Sequence, residues 1–316
     1  MSIRNPNKKI RIDGEAEEHH IGVDRLSSLP DHILQSVLSF LDCTKRSVQT
    51  SVLSRRWRSL WKQVPILTLR TKHFTPSSFA RYVGEVLSRR PENCNIDVIY
   101  YAHLDFSIDK ELFHRVVKFA ASHSCQELVC VPYDDEALDS YLFFPFENSN
   151  LRTLRIRRAA LESGFGSCGF SMLTILELEE CSLPCDTAAD LDPFANFPCL
   201  KDLILSCCGF EDDQCCFNIN GPQLVKLLVY EFDCSKLEIF APKLKFFDYL
   251  VYSKITSLFN LRLPSLDHAD ISVVRRCHDE RNMEEMKACY ISLLQGLHNA
   301  SSLFMNDSLF EELGEV

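Results

Sequence analysis

The sequence predicts an α+β chain in which a small three-helix domain is followed by a solenoid of α/β-type repeats. Two observations carry this prediction. Residues 24–64 contain three short segments with apolar side chains at helical spacing. From residue 125 onward, one pattern of leucines and other apolar residues returns at intervals of 20 to 27 residues. We therefore divide the chain into a disordered polar tail at 1–23, a helical domain at 24–64 and a repeat region at 65–316.

The helical domain is too small to bury all of its apolar side chains. Its first helix is predicted to begin near Pro30, because proline suits a first helical turn, where its missing N–H loses no hydrogen bond. Trp57 and Trp61 are four residues apart, which places both on one face of the third helix. Domains of about 40 residues usually need a staple or a partner. We therefore expect another protein to contact part of the first apolar face, which comprises Leu29, Pro30, Ile33, Leu34, Leu38 and Leu41.

The repeats follow the pattern L-x-x-L-x-L-x-x-(N/C)-x-L, which is typical of leucine-rich repeats. Each repeat is a short strand with a returning segment, and it buries its leucines only when stacked on its neighbours. Cys181 and Cys208 occupy the N/C position, where a small buried side chain donates a weak hydrogen bond to the turn backbone. The clearest copies start at Leu151, Leu173 and Leu200, and looser copies start at Cys125, Leu224, Leu244 and Leu266. Further strands are predicted at 64–69, 95–101 and 303–305, and helices at 79–89, 110–122 and 283–297.

Three segments of the helical domain resemble the F-box of plant F-box/leucine-rich-repeat proteins: residues 24–31 (DRLSSLPD), 37–41 (VLSFL) and 51–61 (SVLSRRWRSLW). The resemblance implies that the F-box binds a Skp-type adaptor, and through it a cullin–RING ubiquitin ligase, while the repeats bind a target protein. The chain would then be a non-catalytic substrate receptor. The alternative is a non-degradative interaction scaffold. The implied adaptor-binding residues are Leu29, Pro30, Ile33, Leu34, Leu38, Leu41, Val52 and Trp57.

Members of this group often carry a further C-terminal module, the FBD region. The sequence shows no convincing copy of it. A short natural form and a truncated gene product are both compatible with this observation.

The residues between the repeat leucines are expected to form the target-binding face, because alternate side chains of a strand point to opposite faces. A contiguous exposed apolar patch usually marks a contact site. We therefore expect the target to bind the apolar positions of this face, which we call the apolar rows. If it does not, we expect it to bind the charged positions, which we call the charged rows. In one alternative, the C-terminal helix folds back and covers the apolar rows. In the other, the strand register of the looser repeats is in error, so that these residues do not lie on the exposed face. The charged positions are Arg155, Arg157, Glu177 and Glu179, and the apolar positions are Leu228, Tyr230, Phe246 and Leu250.

Composition excludes several classes of protein. Hydrophobic residues make up 46% of the chain and charged residues 25%, which are ordinary globular values and exclude wholesale disorder. The polar N-terminus and the absence of a long uncharged apolar run predict neither a secretory signal nor a membrane span. Fifteen cysteines without an export signal are typical of free thiols in a reducing compartment, which is the cytoplasm, the nucleus or both.

Residues 42–90 contain eleven Lys/Arg and two acidic residues, although the whole chain carries a net charge of −10. Such a basic segment can bind a nucleic acid or an acidic protein partner, or it can simply face solvent. The F-box resemblance favours the protein partner, because the family's adaptor is acidic, and we expect no nucleic acid and no membrane among the partners.

No cofactor and no metal are expected. A glycine-rich G-x-G-x-x-G stretch at 164–169 precedes a predicted strand, whereas a dinucleotide site needs a helix there. The cysteines at 207, 208, 215 and 216 lack the spacing of a zinc site.

Overall fold

The structure is a computed structural model. It describes residues 25–26, 28–70, 74–103, 110–132, 141–142, 150–161, 165, 170–183, 192–210, 216–232, 234, 236–251, 258–273 and 283–306. The predicted polar tail at 1–23, most of the glycine-rich stretch at 164–169 and Cys215 lie outside the described residues.

Three short helices form the N-terminal unit, as the sequence predicts. Pro30 precedes the first of them in an extended conformation. Leu34 and Leu38 are buried, as are Trp57 and Trp61, so the two tryptophans belong to the interior of the unit. The helices are α1 (Asp31–Ser39), α2 (Thr44–Gln49) and α3 (Trp57–Leu60), and 3-10 turns at Thr50–Val52 and Trp61–Gln63 extend the last two.

Three longer helices and seventeen strands follow in the described part of the chain. The helices are α4 (Pro76–Ser88), α5 (Lys110–Ser122) and α6 (Met283–Gly296). The strands are β1 (Ile66–Arg70), β2 (Val98–His103), β3 (Glu127–Pro132), β4 (Tyr141–Leu142), β5 (Thr153–Arg157), β6 (Ala160–Leu161), β7 (Ile175–Glu179), β8 (Ser182–Leu183), β9 (Asp202–Ser206), β10 (Gly209–Phe210), β11 (Cys216–Asn220), β12 (Lys226–Tyr230), β13 (Lys236–Phe240), β14 (Phe246–Val251), β15 (Leu258–Arg262), β16 (His268–Val273) and β17 (Ser302–Met305). None of the described helices combines the length and the apolar character that crossing a bilayer requires.

The strands form three parallel sheets. The largest has ten strands in the order β1-β2-β3-β5-β7-β9-β12-β14-β16-β17. A second sheet contains β4, β6, β8 and β10, and a third contains β11, β13 and β15. Because spatial order follows chain order within each sheet, the repeats stack one after another. The predicted architecture, a small helical unit followed by a parallel-strand solenoid, is confirmed.

The repeat leucines form one continuous core behind the largest sheet. Leu154, Leu176, Leu203, Leu227 and Phe247 lie side by side on five neighbouring strands. Each of these side chains is at most 1% exposed. Buried residues alternate with half-buried or exposed ones along these strands, which is the alternation that the leucine pattern predicts.

The returning segments differ along the chain. α4 and α5 connect the first three strands of the large sheet, whereas β11, β13 and β15 occupy the later returns. The sequence prediction missed these three strands. They are short, and they bury alternate residues such as Phe217 and Ile219 of β11. α6 packs against β15, where the backbone N–H of Phe259 donates to the Ser292 hydroxyl at 3.4 Å.

A left-handed turn ends several central strands. Arg158, Glu180, Cys207 and Glu231 each follow a strand and have φ between 49° and 53°. The backbone N–H of each donates to a carbonyl at the end of the next main strand at 2.7–2.8 Å. These turns therefore extend the hydrogen bonding between neighbouring repeats beyond the strands themselves.

The predicted thiol hydrogen bonds at the N/C position are present. The Cys181 thiol donates to the Glu179 carbonyl at 3.4 Å, and the Cys208 thiol donates to the Ser206 carbonyl at 3.3 Å. Hydrogen bonding with Cys181, together with burial, raises the pKa of Cys208 well above its ordinary value. The Cys208 thiol therefore stays protonated and serves as a donor inside its turn.

The C-terminal end of α6 has no room for a side chain at Gly296. A Cβ placed there would lie 2.5 Å from the Cβ of Leu261. Gly296→Ala is expected to lower the free energy of unfolding by about 1–3 kcal/mol, because an overpacked methyl group displaces its neighbours. Gln295→Ala, at the adjacent exposed position, is the control, and chemical denaturation measures both variants. Equal unfolding free energies for the two would contradict the packing.

Candidate functional site

The eight residues predicted to bind an adaptor differ in exposure. The three buried side chains stabilise the helical unit from inside and offer no contact area in this conformation. Only the other five reach its surface. The buried residues are Leu34, Leu38 and Trp57. Leu29 and Leu41 are half-buried and pack against the core, and Pro30, Ile33 and Val52 are exposed.

Four further apolar residues of the helical unit are exposed, in addition to those eight. Phe40 is 88% exposed, Leu53 is 64% exposed, Leu26 is 52% exposed and Val37 is 44% exposed. Val52, one of the eight, is 87% exposed. Of the thirteen large hydrophobic side chains exposed in the described part of the chain, six lie within residues 26–53. The helical unit thus presents unusual apolar area to solvent, which marks it as a contact surface.

Arg56 fixes the segment that leads into α1. Its Nη2 donates to the Leu29 carbonyl at 2.5 Å, and its Nε donates to Asp31 Oδ1 at 2.6 Å. The side chain therefore links the start of the third helix to the start of the first. Leu29 and the adjoining Pro30 are held in place by this link.

Two further contacts fix the helical unit on the first repeat. The Thr44 hydroxyl accepts a hydrogen bond from the backbone N–H of Thr68 on β1 at 2.9 Å. Arg90 follows α4 and donates to the Val64 carbonyl at 2.7 Å and to the Trp61 carbonyl at 3.2 Å. Arg90 is only 6% exposed, so the junction between the helical unit and the solenoid is packed around a buried guanidinium.

The charged rows of the large sheet neutralise one another. Arg155 of β5 lies opposite Glu177 of β7, and Arg157 lies opposite Glu179. Arg155 forms ion pairs with Glu177 at 2.9 Å and with Glu127 at 2.5 Å, and Arg157 forms one with Glu179 at 3.4 Å. These rows lie on the face that the sequence predicts. Because their charges are already paired, they offer little free charge to a target.

The apolar rows lie on the same face, on β12 and β14. Phe246 is 46% exposed, and Leu228, Tyr230 and Leu250 are half-buried. Tyr230 and Leu250 are direct neighbours in the ladder, so the predicted register is confirmed and the alternative of a register error is wrong. The Tyr230 hydroxyl donates to Asp248 Oδ2 at 2.7 Å. Burial, with the charge and hydrogen bond of Asp248, raises the pKa of Tyr230 and keeps the phenol a donor.

The C-terminal helix lies elsewhere. It packs against β15, a strand of the three-stranded sheet, with Tyr290, Leu293 and Leu297 buried. The apolar rows belong to the ten-stranded sheet, and Phe246 keeps nearly half of its surface exposed. The alternative in which this helix covers the apolar rows is therefore wrong.

Part of the basic segment is engaged within the chain. Arg46 pairs with Asp42 at 3.2 Å, and Arg89 pairs with Glu85 at 2.7 Å. The Lys45 ammonium lies 4.3 Å above the ring of Phe74. These contacts reduce the positive charge that the segment presents to any partner.

The cysteines show no metal-binding arrangement within the described ranges. There, no group of three or more His, Cys, Asp or Glu side chains has a geometry that would hold a metal ion. Cys207, Cys208 and Cys216 are free thiols. The expectation of a metal-free chain stays a prediction that elemental analysis of the purified protein checks.

Comparison with known proteins assigns the helical unit. Residues 26–69 match the F-box domain family. A putative F-box/FBD/LRR-repeat protein of Arabidopsis thaliana is 29% identical over 66% of this chain and 43% of its own length. F-box/LRR-repeat protein 25 of the same plant is 27% identical over 58% of this chain and 68% of its own length. An Arabidopsis FBD-associated F-box protein is 28% identical over 88% of this chain and 71% of its own length.

The chain thus spans less than half the length of the first of these relatives and about two thirds of the other two. The matched F-box region includes α1, α2, α3 and most of β1, and the relatives named for leucine-rich repeats agree with the stacked parallel strands that follow. The N-terminal unit is therefore an F-box, and the chain as a whole is similar to plant F-box/leucine-rich-repeat proteins.

Proposed function

We propose that the chain is the substrate-recognition subunit of a Skp–cullin–F-box-type ubiquitin ligase. Its F-box binds the Skp-type adaptor, and the exposed face of the large sheet binds the target protein. The chain catalyses no bond change itself. Its contribution is proximity, because holding a target beside the ubiquitin-charged enzyme replaces a random encounter with a positioned one. This role places the chain in the cytoplasm, the nucleus or both.

The exposed apolar side chains of the F-box carry the proposal. An isolated unit gains nothing from leaving Phe40, Val52 and Leu53 in water, and burying each in an interface is favourable. Protein interfaces concentrate their binding energy in a few apolar and aromatic anchors of this kind. The buried Arg90 and the Thr44–Thr68 hydrogen bond support the arrangement, since they hold the F-box in a fixed position on the repeats.

Co-purification tests the proposal against the interaction scaffold. The full chain is expressed with an affinity tag in plant cells, and the bound proteins are identified by mass spectrometry. A Skp-type adaptor and a cullin are expected among them. Their absence, with the repeats folded, would contradict the ligase role and support the scaffold.

The apolar rows are expected to be required for target capture. Tyr230→Ala with Phe246→Ala removes two rings from the exposed face, and the expected result is loss of the captured target with adaptor binding and melting temperature almost unchanged. Tyr100→Ala, on the same sheet face at β2, is the matched control. The measurement is quantitative mass spectrometry of proteins that accumulate on the chain when the proteasome is inhibited. A large fall in melting temperature would show that the two rings belong to the core. The proposed target-binding site would then be the charged rows, Arg155, Arg157, Glu177 and Glu179.

A further inference from the structure

Two aspartates lie next to each other at the C-terminal end of the exposed sheet face. Asp248 of β14 and Asp270 of β16 are direct neighbours in the parallel ladder, and neighbouring strands are ~4.8 Å apart. Both residues are half-buried. Burial, with the nearby charge of Asp270, raises the pKa of Asp248. We call Asp248 and Asp270 the aspartate pair.

No cationic side chain among the described residues is paired with the aspartate pair. No described Lys or Arg forms an ion pair with either carboxylate, whereas Arg155 and Arg157 on β5 of the same sheet are paired to glutamates. Electrostatic interactions with His268 and Lys226 lower the pKa of Asp248, but they only partly offset the rise. The hydroxyl of Tyr230 is the hydrogen-bond donor that Asp248 has among the described residues. Negative charge therefore remains unneutralised at this end.

Aromatic and aliphatic side chains surround the aspartate pair. In the ladder, Phe304 of β17 lies beside Asp270, and Leu228 of β12 lies beside Asp248. Phe246 and His268 occupy the row before the pair, with ring centroids 6.3 Å apart, and His268 lies 5.3 Å from the ring of Phe304. Phe246 is 46% exposed and Phe304 is 57% exposed. Exposed rings thus flank two carboxylates.

We propose that this end of the face binds a basic segment of the target protein, with a Lys or Arg side chain placed at the aspartate pair. The inference rests on the proposed role of the chain as a target receptor and names the chemistry of the segment it recognises. A guanidinium or ammonium group is stabilised by two carboxylates and by the faces of aromatic rings. The aliphatic stem of the same side chain packs on Phe246, Phe304 and Leu228.

Charge complementarity selects this occupant over others. Phosphates of a nucleic acid and acidic peptide segments are repelled by two unpaired carboxylates. A purely apolar segment would bury both charges without compensation, which is costly. A metal ion is disfavoured, because no group of three or more His, Cys, Asp or Glu side chains that could hold one is found among the described residues. The basic segment satisfies the charge and the apolar surroundings together.

The test uses the full chain co-expressed with its Skp-type adaptor, and the probe is a phage library that displays random heptapeptides. The peptides retained by the chain are expected to be enriched in Lys or Arg flanked by apolar residues. The most enriched peptide is then synthesised, and its Kd is measured with three proteins: the parent, Asp248→Asn with Asp270→Asn, and the control Asp97→Asn with Asp267→Asn. The control removes the same charge at positions that precede β2 and β16 rather than within the face.

The aspartate-pair variant is expected to bind the peptide about tenfold or more weakly, since a desolvated charge pair is lost, while the control stays close to the parent. Asparagine keeps the shape and can accept from Tyr230, so the melting temperature checks only that folding is preserved. No enrichment of basic peptides, or equal losses in both variants, would overturn the inference. Adaptor binding is recorded in the same samples, so a failure of the receptor role appears separately as loss of the adaptor.

Discussion

Replacement of Phe40 and Leu53 by serine is expected to weaken adaptor binding by about 100-fold or more, while the melting temperature stays close to that of the parent. The two side chains are 88% and 64% exposed, so their removal takes little from the folded core. Truncation of an interface anchor costs about 2 kcal/mol or more, and every 1.4 kcal/mol is tenfold in Kd. Isothermal titration calorimetry with the purified adaptor measures the change.

The matched control for this experiment is Ile291→Ser with Met172→Ser. These residues are 50% and 40% exposed and lie outside the F-box, so the control makes the same kind of change elsewhere. Its Kd for the adaptor is expected to equal that of the parent. Leu34→Ala is expected to weaken binding by another route, since truncation of a buried leucine lowers stability by about 2–5 kcal/mol. Unchanged adaptor binding by the Phe40 and Leu53 variant would refute the placement of the interface.

Arg90→Met is expected to lower the free energy of unfolding by about 3 kcal/mol, because two buried carbonyls each lose a donor, at about 1–3 kcal/mol per group. The carbonyls are those of Val64 and Trp61, at the point where the F-box meets the solenoid. Burial lowers the pKa of Arg90 to about 10, so the side chain remains charged at neutral pH. Methionine keeps much of the aliphatic volume and removes only the donors and the charge.

Arg89→Met is the control for the junction. Arg89 is exposed and pairs with Glu85 one helical turn away, an interaction worth about 0.3–0.5 kcal/mol. Urea denaturation followed by tryptophan fluorescence reports on both variants, because Trp57 and Trp61 are buried beside the junction. Similar midpoints for the two variants would show that the buried guanidinium does not hold the junction.

The sequence predicts the large sheet well, because its leucines repeat and each position of the repeat faces either the core or the exposed side of the sheet. The strands that start near Leu151, Leu173 and Leu200, and the rows between their leucines, form in the expected register. The strands of the third sheet were missed, although their signal is present. Phe217 and Ile219 alternate with polar residues, and β11, β13 and β15 recur with the spacing of the main repeats. The leucine template defines only the first strand of each repeat, so these residues fall in the returning segments, for which it predicts no strand.

The surface of the F-box depends on contacts that a local pattern does not contain. Helical spacing places Ile33 and Leu34 on one apolar face, yet the first is 39% exposed and the second is fully buried. The packing of α1 against α3 decides which of them meets the interior. In the same way, the sequence names the charges of Arg155 and Asp248 but does not show that only the first is paired.

The central claim is that the chain has two separate binding faces, one on the F-box and one on the sheet. Quantitative co-purification tests it most directly, with the Phe40→Ser/Leu53→Ser variant and the Tyr230→Ala/Phe246→Ala variant compared in the same cells under proteasome inhibition. The first variant is expected to lose the adaptor and retain the target, and the second is expected to lose the target and retain the adaptor. Loss of both partners by either variant, with the fold intact, would contradict the claim.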